Sequence, residues 1–224
     1  MLKPAPAEVS SFIAAAPPLK ADRKVSPFAL SGGSPVCEQK GIYIAPVTVE
    51  FLRPASKGLA KGEEEVRKKE ALELAEYARA QFIEAFRKSP RARYVVQDKP
   101  DRDCVKVELA MVELNRNTFT GTLVRFAVNT VAVPGTDAVL APLARPLKGN
   151  IAVEGKVTNL RDSKVIYQFA DNEESKSAVI APITDLHAYG QARDAIRDWA
   201  KEFEEVTRTA PGQRVKGSSV MSFF

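Results

Sequence analysis

At 224 residues the chain is long enough for one substantial domain with its own core. Apolar residues at 45% and charged residues at 27% are globular usage and exclude a disordered chain. Lys and Arg outnumber Asp and Glu by 33 to 28, a formal +5 spread along the chain without basic runs interleaved by aromatics, which argues against a nucleic-acid partner. No apolar run reaches the roughly 18 residues that span a bilayer. The start, MLKPAPAEVSSFIAAAPP, lacks the basic opening and long apolar segment of a signal peptide. Read literally, this describes a cytoplasmic chain, or a mature region whose targeting segment has been cut away.

Residues 1–40 carry Pro4, Pro6, Pro17, Pro18, Pro27, Pro35 and the run Ser31-Gly32-Gly33-Ser34, a composition that predicts an extended tether with Phe12, Ile13 and Leu19 docked on the core. GIYIAPVTVEFL then predicts a first strand from Ile42 to Leu52, with Pro46 marking an edge position or a bulge. In EEEVRKKEALELAEYARAQFIEAFRKSP, residues Val66, Leu74, Ala75, Ala78, Phe82, Ala85 and Phe86 recur at helical spacing. Glu63, Glu64 and Glu65 at its start and Arg87 and Lys88 at its end suit the helix dipole, and Ser89-Pro90 ends it.

CVKVELAMVEL, residues 104–114, alternates Val105, Val107 and Leu109 with Lys106 and Glu108, as a strand with one buried face does. Strand, long helix and strand make a β-α-β unit with parallel strands. Residues 117–148 are apolar for a segment bracketed by strands. Leu123, Phe126, Ala127, Thr130 and Val131 fit a short helix broken at Pro134-Gly135, although the β-branched content also suits a strand.

Ile151, Val153 and Val157 alternate with polar neighbours, Asn159 to Ser163 form a turn, and Val165, Tyr167 and Phe169 alternate again, which predicts a β-hairpin. The last helix places Leu186, Tyr189, Ile196, Trp199, Ala200, Phe203 and Val206 along one stripe, with Thr184 or Asp185 as its cap. Together these elements predict a single α/β domain over residues 41–208. It is a two-layer sandwich, a mixed sheet of about four strands with two long helices on one face, followed by a loosely ordered tail, 209–224.

Chemistry is sparse. His187 is the single histidine, with no nucleophile elbow beside it, and SGGS lacks the Lys and the helix of a phosphate loop. No cofactor is expected. Glu154, Asp162 and Asp171 fall in one hairpin, but acids spread along a strand pair do not converge on an ion, so no metal is expected either. Cys37 stands before the first strand and Cys104 begins the second; if these strands are parallel neighbours, the two thiols are a candidate disulfide.

SSFI, GIYIAPVTVEFL, IAVEGKVTNLRDSKVIYQFADNE and ARDAIRDWAKEF, taken in this order, resemble the uncharacterised bacterial lipoproteins of domain-of-unknown-function family 3313. The resemblance implies secretion, a lipid on a cysteine at the mature N-terminus, and a home on the periplasmic face of the outer membrane. The targeting segment and lipid-bearing cysteine would lie outside this sequence. Glu154, Asp162, Asp171 and Trp199 belong to the pattern that carries the resemblance, and it supplies no activity.

The expectation is therefore a non-enzymatic cell-envelope protein that binds another envelope component, protein or lipid, through Leu123, Phe126 and Val131. The alternative is a small-molecule or lipid carrier in which residues 117–148 act as a lid.

Overall fold

The structure is a computed structural model that describes residues 9–13, 20–21, 29–32, 38–55, 61–115, 150–174, 189–209 and 215. Among them are strands β1 (Lys20–Ala21), β2 (Ala29–Gly32), β3 (Gly41–Ile44), β4 (Val95–Val96), β5 (Cys104–Asn115), β6 (Asn150–Asn159) and β7 (Lys164–Glu174), with helices α1 (Lys61–Lys88) and α2 (Gly190–Arg208). The strands form one sheet in the order β1-β2-β7-β6-β5-β3-β4. Pairing is parallel for β3 with β4 and β5, and antiparallel elsewhere, so the sheet is mixed. The fold is the expected α/β sandwich, with α1 and α2 packed together over one face.

β3 precedes α1 and pairs parallel with β5, which follows the helix after the two-residue β4, as the β-α-β reading requires. The first strand is shorter than its apolar run because Pro46 has no N–H to give to the ladder. Ile44 lies opposite Val107, yet Thr48 lies opposite Ala110, so four residues on one side match three on the other. The chain then follows β5 irregularly, and Arg53 N–H still donates to the Val112 carbonyl at 2.9 Å. Pro46 thus marks a bulge in the pairing.

Helix α1 buries Ala71, Leu74, Ala75, Ala78, Phe82 and Phe86, one face at 3.6-residue spacing. Its first turns depart from the expected stripe. Val66 is 49% exposed, and the inward position beside it belongs to Arg67. The Arg67 guanidinium donates to the Leu114 carbonyl at 2.9 Å and the Arg53 carbonyl at 2.6 Å, and pairs with Glu64 at 2.7 Å. Backbone carbonyls at the end of β5 are better met by five N–H donors than by a valine.

Between the helices and the sheet lies an aromatic core. Phe203 of α2 stacks within 5.3–6.1 Å of Phe82, Phe86 and Phe169. Gly155 makes this possible: a Cβ there would lie 2.2 Å from the Phe169 ring. Ser163, at φ 58°, closes the β6–β7 turn in the left-handed region.

The sheet exceeds the expected four or so strands. Residues 29–32, read as tether, pair antiparallel with β7, and residues 20–21 pair antiparallel with them in turn, because backbone groups pair with little regard to side chain. Helix α2 begins at Gly190 and not at a Thr184 or Asp185 cap. Tyr189 stands at the N-cap without a side-chain cap bond, and its hydroxyl donates to Glu70 of α1 at 2.8 Å.

Candidate functional site

The hairpin acids do not share a site, because strand alternation sends them apart. Glu154 lies opposite Ala110 and Ala170, on the face away from the helices. Asp171 lies opposite Val153 on the helix-covered face, where its Oδ2 accepts a hydrogen bond from Trp199 Nε1 at 2.6 Å. Asp162 occupies the turn and accepts the Lys164 N–H at 3.2 Å. Among the described residues, no three His, Cys, Asp or Glu side chains gather as a metal site.

Glu154 is the most organised polar group on the outer face. It is 1% exposed, a burial that a carboxylate tolerates only with strong donors. Ser10 supplies them: its N–H lies 2.6 Å from Oε1 and its hydroxyl 2.5 Å from Oε2. The same hydroxyl oxygen accepts the Phe12 N–H at 3.1 Å, and the Ser10 carbonyl accepts the Ile13 N–H at 3.3 Å, so residues 10–13 form one tight turn.

The ring of Phe12 lies 5.3 Å from that of Phe51, with Lys156 Nζ 4.6 Å above its centroid. Ala110, Val112 and Ala152 form the small-residue floor on which Phe12 and Phe51 pack, while Ile13 is fully buried. Beyond Phe12, Glu108 pairs with Lys106 at 2.9 Å and with Lys156 at 3.8 Å.

A second polar group closes the β5–β6 end. Glu113 pairs with Arg53 and accepts from Asn150 at 2.8 Å. Neither this group nor Arg67 is apparent from sequence spacing. Likewise, the Ser10–Glu154 pair joins residues 144 apart, although SSFI and the Glu-bearing strand are both part of the family pattern.

Cys104 is a buried free thiol, which corrects the candidate disulfide. The register sets Gly41 opposite Cys104, with the sulfur packed so close that a Cβ on Gly41 would lie 2.6 Å from it. Burial, with the nearby Asp101 and Asp103 charges acting the same way, pushes this thiol's pKa up. Cys37 lies outside the described residues, as do His187 and the expected contact residues Leu123, Phe126 and Val131.

No curated protein matches the chain. Solved structures show similarity, two of them as follows. A PelC dodecamer from Paraburkholderia phytofirmans aligns at 7% identity over 79% of this chain and 96% of that one, with a TM-score of 0.41. A neuraminyllactose-binding hemagglutinin homolog from Helicobacter pylori aligns at 11% identity over 77% and 85%, with a TM-score of 0.31. The described α/β domain, with its hairpin acids and Trp199, coincides with a family match over residues 36–203, and the chain belongs to the family described as Protein of unknown function (DUF3313).

Proposed function

We propose that this chain is a non-enzymatic cell-envelope protein, lipid-anchored at the periplasmic face of the outer membrane, that binds another envelope component. The observation that carries the non-enzymatic part is the use to which the hairpin acids are put. Glu154 holds the N-terminal segment, Asp171 holds Trp199, and Asp162 holds its own turn. A catalytic carboxylate needs a face open to substrate, and each of these accepts a hydrogen bond that fastens one part of the fold to another.

The envelope part rests on the family. Its resemblance implies secretion and lipidation, and the family match covers residues 36–203.

The test is intact-mass measurement of the protein from fractionated native cells. The expected result is a mass above that of the polypeptide by a diacyl or triacyl group, in the outer-membrane fraction. An unmodified mass in the cytosolic fraction overturns the proposal.

A further inference from the structure

We infer that the end of the sheet where β3, β4 and β5 begin is a contact surface for anionic lipid headgroups. The inference rests on the envelope assignment for its setting, and it names one component that the protein meets there.

Thinly spread elsewhere, the surplus of positive charge gathers at this end. Residues 87–103 carry six basic side chains, Arg87, Lys88, Arg91, Arg93, Lys99 and Arg102, against three acids, and all of these residues are exposed. This one stretch therefore holds three of the five charges by which the whole chain is positive.

Register widens the group. Val95, Gly41 and Cys104 lie in one row across parallel β4, β3 and β5, so the residues that lead into these strands share one rim. Arg91 and Arg93 precede β4, Lys40 precedes β3, and Arg102 precedes β5. Antiparallel β6 ends opposite the start of β5, which brings Arg161 of the following turn to the same rim. Four strands at the usual spacing make the rim about 14 Å wide, broader than a single bound anion needs.

Ordinary structural uses account for only some of these charges. Arg87 and Lys88 complement the dipole of α1, and Asp98 lies 3.2 Å from Arg87. Arg161 pairs with Asp103 at 2.8 Å and reaches Glu38 at 3.8 Å, while Asp101 accepts the Asp103 N–H at 3.1 Å. Lys40, Arg91, Lys99 and Arg102 are exposed and form no ion pair among the described residues. In the same stretch Val95 is 66% exposed, more than any other large apolar side chain described. Cations beside an exposed aliphatic group suit a membrane surface, where phosphates overlie apolar chains. Nucleic acid fits this end less well: the single aromatic of residues 87–103, Tyr94, is 2% exposed, so no ring there is offered for a base to stack on.

The experiment is co-sedimentation of the purified, unlipidated 224-residue chain with vesicles of phosphatidylcholine, alone or mixed with phosphatidylglycerol. Binding to the mixed vesicles is expected to be at least about tenfold tighter and to weaken as salt is raised. Arg91→Ala, Lys99→Ala and Arg102→Ala together are expected to lower it at least about tenfold. Lys68→Glu with Lys69→Ala, at exposed positions of α1, removes the same amount of positive charge and is expected to change binding by less than about twofold.

Near-UV circular dichroism of Trp199 checks folding throughout. Equal binding to the two kinds of vesicle, an equal loss in the two variants, or capture of single-stranded DNA in preference to the mixed vesicles overturns the inference. Failure on vesicles leaves the envelope assignment standing, because that is decided by the mass and fraction of the native protein.

Discussion

The two faces of the sheet are built from alternate residues of the same strands and solve burial in opposite ways. The helix-covered face carries Val105, Val107, Leu109, Val153, Tyr167 and Phe169, all fully or nearly fully buried under α1 and α2. The outer face carries Ala110, Ala152, Glu154 and Lys156, on which, among the described residues, Ser10, Phe12 and Phe51 pack. On the first face large side chains interlock, and stability comes from apolar area removed from water. On the second, small residues leave room for backbone, and the cover is fastened by a carboxylate and a cation over a ring. The comparison teaches that one alternating pattern specifies a core on one face and a docking platform on the other.

Substitutions at graded positions sharpen that contrast. The largest effect belongs to the aromatic centre. Phe203→Ala removes the ring that meets Phe82, Phe86 and Phe169, and is expected to cost about 3–5 kcal/mol, read as a fall in the urea midpoint at unchanged slope. A loss under about 1 kcal/mol would mean that the helix layer is held elsewhere.

Next is the polar pin within the same face. Trp199→Phe keeps most of the packing but takes the Nε1 donor from buried Asp171, 8% exposed, and is expected to cost about 1.5–3 kcal/mol. A loss under about 1 kcal/mol would show that the contact with Trp199 is not what holds Asp171.

Smallest is the outer rim, where Glu108→Gln breaks the pairs with Lys106 and Lys156. Those groups are about a quarter to a third exposed, so thermal unfolding is expected to register less than about 1 kcal/mol. A larger loss would reveal that the outer face contributes to stability as a linked network, which the contrast above denies.

Periodicity made most of the elements legible before any coordinates. The α1 stripe from Leu74 to Phe86, the β5 alternation, the β6–β7 hairpin and the Trp199 stripe of α2 are local patterns that survive because burial follows the element's own repeat. The sites where local reading failed share a cause. Val66 yields the inward place to Arg67 because carbonyls at the end of β5, far away in sequence, need donors. The short strand at 29–32 exists through pairing with β7, and that at 20–21 through pairing with it, which the Pro-, Gly- and Ser-rich composition around them does not announce.

By itself, the sequence determined the α/β class, the parallel strands about a long helix, and the separation of the hairpin acids, since alternation along a strand is a property of the backbone. Only the tertiary structure decided what those acids do. That Glu154 closes on Ser10 and Asp171 on Trp199, and that Gly41 stands opposite Cys104, depends on which strands become neighbours and in what register. Contacts between residues far apart in the chain arise from packing the sheet as a whole, and no local spacing encodes them.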